Sequence, residues 1–172
     1  MKQIVSNKKL MFTGIAVLSA ASLGMAFIAQ YVFDLQPCNL CLIQRWPFVI
    51  IIALGLIGYF LTNTPKIASL VMGLIGITFI TNSVIAFYHS GVERHWWKSA
   101  LEGCNIPKLE GSSEDILKQI QSITEAVRCD EIPWADPIFG LSMANYNVAF
   151  CLGLGLIAFY SAIKFFKTLT LS

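Results

Sequence analysis

The chain has 172 residues, of which 56% are apolar and only 13% are charged, and its mean hydropathy is +0.67. A soluble globular domain normally carries about a quarter charged residues, so the composition argues against a soluble protein. The length allows one domain, and a net charge of +2 gives no reason to expect a nucleic acid partner.

Four long runs without acidic residues account for this composition. A spanning helix needs roughly 20 mostly apolar residues. The second run reaches that length only by including Arg45, whose guanidinium would then snorkel at the membrane edge. We therefore predict an all-α membrane protein, a single domain formed by a four-transmembrane-helix bundle. The predicted helices cover residues 10–29, 42–61, 67–88 and 141–163, and the loops between them on one side cover 30–41 and 89–140.

The first run follows three lysines and could be taken for a cleavable signal peptide. It is about 20 residues long, and no clear small-x-small site follows it, so a retained helix is the better interpretation. The charges also set an orientation. Six lysines and no acidic residue lie at the termini and at 62–66, whereas the two loops hold all ten acidic residues and five basic ones, and Arg45 adds a sixth basic residue on the same side. The positive-inside rule then predicts both termini in the cytoplasm of a bacterial inner membrane and the two loops outside.

Four of the five cysteines lie in the two exported loops, where disulfides form and persist. The sequence-local pairing is Cys38 with Cys41 and Cys104 with Cys129. Cys151 lies inside the fourth run, where a free thiol behaves as a small apolar residue.

The C-x-x-C pair has three interpretations. It closes too short a loop to be an effective staple, whereas Cys104–Cys129 alone would suit that role. A Cys₄ zinc site would normally need a second close pair, and a c-type haem would need His in place of Leu42. Redox chemistry is therefore favoured, and no metal is expected.

The helix start at Pro37 supports the redox interpretation. The thiols face the unpaired N–H groups of the second helix. Arg45 lies four residues after Cys41 and thus on the same helical face. Both features favour a thiolate at Cys41. The alternative for Arg45 is a membrane anchor.

The long loop contains a predicted short amphipathic helix. Ser112 and Ser113 can cap it, and four apolar residues follow at helical spacing: Ile116, Ile120, Ile123 and Val127. Trp96, Trp97 and Trp134 suit the headgroup region. Ser142 is a plausible cap for the fourth helix. His89 is either a hydrogen-bond donor to a carbonyl oxygen or an interfacial residue.

Nearly the whole chain resembles the disulfide bond formation protein B (DsbB) family. The resemblance rests on the block Pro37-Cys38-x-Leu40-Cys41-x-x-x-Arg45, the second pair Cys104 and Cys129, Trp134, and Gly140-Leu141-x-Met143. It implies a quinone-dependent thiol oxidoreductase whose cofactor is ubiquinone or menaquinone. His89 and Met143 are the candidate quinone contacts beside Arg45.

The resemblance also implies a relay that begins with a DsbA-like thioredoxin-fold partner. The reduced partner attacks Cys104, and the freed Cys129 attacks Cys38. Cys41 leaves as a thiolate and passes electrons to the quinone, with Arg45 stabilising the developing charge.

Two alternatives stay open. One is a non-enzymatic four-span membrane protein with two structural disulfides. The other is an enzyme like vitamin K epoxide reductase, which would place its C-x-x-C near the end of a later helix rather than before the second.

Overall fold

Four long helices make up most of the chain in the computed structural model, which describes residues 7–101, 104, 114 and 128–170, with side chains up to 167. The helices are α1 (Lys8–Tyr31), α2 (Asn39–Phe60), α3 (Pro65–Glu93) and α4 (Met143–Thr170). The described residues contain no β-strand, only an isolated bridge between Ala135 and Ser142.

All four helices are long and apolar enough to cross a membrane. Large apolar side chains are exposed on each of them, for example Val17, Ile50, Ile77 and Ile157. Apolar surface of this extent needs lipid around it. The chain is therefore a multi-pass membrane protein, and the predicted four-helix class is confirmed.

The interior core draws on every helix. Phe12, Ile51, Phe79 and Phe165 are each at most 2% exposed and belong to one cluster. The rings of Phe12 and Phe165 join α1 to α4. Gly58 of α2 lies so close to the Phe12 ring that a Cβ would clash there, so this close approach requires glycine.

Two short connections make α1, α2 and α3 antiparallel to their neighbours. Hydrogen bonds from Ser142 to Glu93 and from Asn145 to Ser90 put the start of α4 beside the end of α3. The end of α1, the start of α2, the end of α3 and the start of α4 therefore lie at one end of the bundle, which we call the cysteine end. Cys38 and Cys41 stand at the start of α2, and His89 and Glu93 in the last turns of α3.

The C-terminus of α3 is fixed by backbone geometry. His95 adopts a left-handed conformation with φ of 58°. The N–H of His95 donates to the Val92 carbonyl and that of Trp96 to the Gly91 carbonyl. This pair of bonds is a Schellman motif, which ends a helix by satisfying its last carbonyls.

The predicted end of α3 at residue 88 is five residues short. Residues 89–93 are all buried in the structure, and α3 continues to Glu93. The sequence prediction ended the helix where polar residues begin. His89, Ser90 and Glu93 nevertheless stay helical, because each has a partner among the neighbouring elements. The helix α4 likewise runs beyond the predicted residue 163, whereas the amphipathic helix predicted from Ser112 lies outside the described residues apart from Glu114.

Candidate redox site

Cys38 occupies the N-cap of α2. Its Sγ accepts a hydrogen bond from the backbone N–H of Cys41 at 3.4 Å and lies 3.1 Å from the Cys41 Sγ. The two cysteines are thiols in this structure, and Cys38 is only 4% exposed. A hydrogen bond from the Cys41 thiol, joined by contacts with His89, holds the pKa of the Cys38 thiol well below its ordinary value.

This arrangement changes one expectation from the sequence. The helix terminus was expected to favour a thiolate at Cys41, but the sulfur that caps the helix is that of Cys38. The reason is the position of the first helical residue. Because α2 begins at Asn39, Cys38 is the capping residue and Cys41 contributes an N–H from the first turn.

His89 joins the two thiols on the α3 side. Its Nε2 atom lies 3.5 Å from the Cys38 Sγ and 3.7 Å from the carboxylate Oε1 of Glu93. One ring nitrogen of His89 and the two sulfurs all lie within 4.8 Å of one another. His89 and Glu93 are both nearly buried. The imidazole therefore stands between a reactive sulfur and a carboxylate in a region that excludes most water.

Glu93 is held from α4. The hydroxyl of Ser142 donates to its carboxylate, and Ser142 also accepts from the backbone N–H of Asn145, which is the predicted capping role at the start of α4. No sequence pattern predicts a role for Glu93, because its partners lie 49 residues away along the chain or one helical turn behind it. The four-residue spacing of His89 and Glu93 was the one available signal.

The second cysteine pair lies in the same part of the molecule. Cys104 and Cys129 form a disulfide, as the sequence-local pairing predicted. Both residues are fully buried, and they form one apolar cluster with Cys38, Leu40 and Val92. Since two of the four sulfurs are bonded to each other, the Cys₄ zinc interpretation does not apply to this structure.

An ion pair flanks Cys129, one of the two cysteines of the second disulfide. Arg128 makes a two-pronged contact with Asp130 at 2.9 and 2.8 Å, on either side of Cys129. This contact with the guanidinium lowers the pKa of the Asp130 carboxyl. The pair is partly exposed, so it orients the chain beside Cys129 more than it stabilises the fold.

The three predicted quinone contacts lie in different surroundings. His89 is buried in the cluster described above, whereas Met143 is 47% exposed at the start of α4. Arg45 faces α1: its guanidinium donates to Gln30 Oε1 at 2.7 Å and to the Ala26 carbonyl at 3.4 Å, and it lies over the Phe27 ring. These two bonds use two of the five N–H donors that an arginine carries.

The residues at the start of α2 suit a quinone. Cys41 is only partly buried, and the next two residues, Leu42 and Ile43, are 42% and 38% exposed as apolar surface. A quinone ring needs such a surface, a hydrogen-bond donor for its oxygen and, here, a nearby thiol. Arg45 carries hydrogen-bond donors, and Cys41 is the nearby thiol.

Fold and site together define a multi-pass helical membrane protein with two cysteine pairs gathered at one end of its bundle. The family model for disulfide bond formation protein DsbB matches residues 8–161. The chain belongs to the DsbB family, and it is a membrane disulfide bond formation protein with a thiol oxidoreductase role.

Similar proteins span most of the chain. An uncharacterised protein of Rickettsia prowazekii is 32% identical over 83% of this chain and 83% of its own length. Disulfide bond formation protein B of Herminiimonas arsenicoxydans is 26% identical over 93% of this chain and 98% of its own. The protein of the same name from Cupriavidus metallidurans is 27% identical over 88% and 90%. No solved structure matches the chain.

The lowered pKa of Cys38 gives a test by alkylation. A thiol of ordinary pKa, about 8.5, is less than about 1% thiolate at pH 6. Because the folded protein favours the Cys38 thiolate, we expect its alkylation rate in the reduced protein to stay near its plateau at pH 6, and to fall only at more acidic pH. Alkylation by iodoacetamide at a series of pH values, followed by mass spectrometry of the Cys38 peptide, measures this. A rate that rises steadily to pH 8 or 9 would contradict the assignment.

Proposed function

We propose that this protein reoxidises a DsbA-like thioredoxin-fold dithiol and passes the electrons to a membrane quinone, ubiquinone or menaquinone. The observation that supports this most directly is the buried cluster in which the Cys104–Cys129 disulfide packs with Cys38. Electron transfer between two cysteine pairs needs sulfurs close enough for thiolate attack, and this packing brings the pairs into one small region.

The exchange steps follow from thiol chemistry. A thiolate of the partner attacks Cys104, forming a mixed disulfide and releasing Cys129. The partner's second thiol attacks its own sulfur in that mixed disulfide, so the partner leaves oxidised and Cys104 is reduced. Cys129 attacks Cys38 of the Cys38–Cys41 disulfide, and Cys41 leaves with the electron pair. Cys104 then displaces Cys38 from Cys129, which restores the Cys104–Cys129 disulfide and leaves a Cys38–Cys41 dithiol.

That last state has the same bonding as the structure, with Cys104–Cys129 joined and the C-x-x-C pair reduced. A bound quinone accepts two electrons and two protons. Cys38 and Cys41 supply both electrons as they close into a disulfide. The low pKa of the Cys38 thiol suits Cys38 to be the attacking sulfur in that closure.

Reoxidation of the purified protein tests the proposal. The full chain in detergent, after reduction by a thioredoxin-fold dithiol protein, should regain its Cys38–Cys41 disulfide when a soluble ubiquinone or menaquinone analogue is added. Quinol formation should match disulfide formation mole for mole. A protein that accepts electrons from the dithiol but never yields quinol would refute the quinone part of the proposal, and one that accepts none would refute the partner part.

We further propose that the protein lies in a bacterial inner membrane with the cysteine end in the periplasm. The support is the charge asymmetry of the sequence, since six lysines and no acidic residue lie at the termini and in the segment 62–66. A reporter fused after Ser172 should therefore be active in the cytoplasm, and one inserted near Ser112 should be active outside. The reversed result would put the cysteines in a reducing compartment, where stable disulfides are rare.

A further inference from the structure

A line of buried and partly buried polar side chains runs from the redox site into the interior of the bundle. It starts at His89, whose Nδ1 lies 2.9 Å from Gln44 Nε2. The Asn147 Nδ2 group donates to Gln44 Oε1 at 2.7 Å, and the Cys151 thiol donates to Asn147 Oδ1 at 3.1 Å. The side chains come from three helices, α3, α2 and α4.

The direction of these hydrogen bonds is set at the Cys151 end. The Asn82 Nδ2 group donates to the Cys151 sulfur at 3.4 Å, which leaves the thiol proton for Asn147. Each amide then accepts on its oxygen and donates from its nitrogen. The last donor, Gln44 Nε2, requires His89 Nδ1 to be an acceptor. A neutral imidazole that accepts at Nδ1 carries its proton on Nε2.

We propose that Gln44, Asn147 and Cys151 are positioning residues that hold His89 in the Nε2–H tautomer and aim that proton at Cys38. This inference about His89 rests on the proposed thiol chemistry at Cys38. His89 donates a hydrogen bond to the Cys38 sulfur, 3.5 Å away, when that sulfur is a thiolate. The Cys38 thiolate then keeps a donor in a place where water is largely excluded.

Glu93 is the other charged group that faces this proton. Its Oε1 atom lies 3.7 Å from His89 Nε2, while its Oε2 atom accepts from Ser142. Among the residues that the structure describes, Arg94 donates to Asn145 and acts on Glu93 at longer range. From α2, the groups that face His89 are the two thiols and Gln44. The Cys38 sulfur is therefore the group within hydrogen-bond distance of Nε2, and the Glu93 carboxylate lies just beyond that distance.

The tautomer can be read directly by NMR of protein labelled with ¹⁵N-histidine, in the reduced full chain in detergent. The only other histidine, His95, is exposed and adopts a left-handed backbone, so His95→Asn removes its signal at little conformational cost. In that background we expect the neutral tautomer of His89 to carry its proton on Nε2.

Two substitutions should move the proton. Cys151→Ala removes the donor that sets the direction, and we expect about a fivefold change in the tautomer ratio, the effect of one ordinary buried hydrogen bond. Cys151→Ser keeps a donor and should restore the ratio. Gln44→Glu puts an acceptor at Nδ1 and should move the proton to that atom. Ser161→Ala, which deletes another buried donor on α4, is the matched control and should leave the ratio unchanged.

The same variants should alter Cys38. Losing the Nε2–H donor should shift the alkylation profile of Cys38 toward higher pH in Cys151→Ala and in Gln44→Glu, but not in Cys151→Ser. A wild-type His89 protonated on Nδ1, or a ratio that Cys151→Ala and Gln44→Glu leave unchanged, would overturn the inference. These readouts need no quinone, so a protein without quinone activity but with the expected tautomer would refute only the proposed function.

Discussion

Replacing Cys41 with serine should abolish quinone reduction, because the hydroxyl that remains cannot form the Cys38–Cys41 disulfide that supplies both electrons. Cys104→Ser should instead abolish exchange with the dithiol partner. The Cys38–Cys41 pair of that variant, reduced chemically, should still react with quinone. Stopped-flow measurement of quinol formation and gel analysis of the mixed disulfide separate the two steps.

The two variants control for each other, since each removes one sulfur from the same cysteine end. Cys41→Ser should keep the Cys104–Cys129 disulfide, which shows that the fold survives the change. The loss in each case should be at least several hundredfold, because no other residue can replace a thiol in the exchange. If both variants keep full turnover with partner and quinone, the cysteines are structural staples and the proposed function is wrong.

The sequence predicted the four helices well because the membrane imposes a simple requirement. A run of about 20 residues with little charge has few other structures available in a membrane. The existence of α1 to α4 could therefore be predicted from the four apolar runs alone. The end of α3 did not follow. Residues 89–93 include His89 and Glu93, which look like loop residues, and only the positions of Gln44 and Ser142 explain why both stay helical and buried.

The candidate site was predicted in its chemistry but not in its geometry. The C-x-x-C motif and the pairing of Cys104 with Cys129 come from local sequence, where spacing carries the information. The position of the first residue of α2 decides which thiol caps the helix. Sequence patterns rarely place a helix start to the exact residue. Cys151 was predicted to behave as an apolar residue. Cys151 is indeed buried in the apolar core cluster, and it also bonds to Asn147 and Asn82, a fact that depends on α3 and α4 packing in register.

Arg45 shows the same limit. Its spacing from Cys41 suggested a shared helical face, yet its hydrogen bonds go to Gln30 and Ala26 of α1. Two roles therefore compete for this residue: joining α1 to α2, and stabilising charge on a quinone through its remaining donors. The amount of inserted protein measures the contact between α1 and α2, and the rate of quinone reduction per folded molecule measures the role in charge stabilisation.

Arg45→Met should impair turnover with quinone by roughly 10- to 150-fold, the loss of one charge-assisted contact of about 1.5–3 kcal/mol. Arg45→Lys should recover only part of the rate, because an ammonium keeps the charge but lacks the planar, forked donors. Gln30→Leu is the matched control: it removes the α1 partner at 2.7 Å and leaves the guanidinium in place. We expect Gln30→Leu to affect the amount of inserted protein while leaving quinone kinetics close to wild type. If Arg45→Met inserts normally and reduces quinone at the wild-type rate, Arg45 has no part in the chemistry and serves only the contact between α1 and α2.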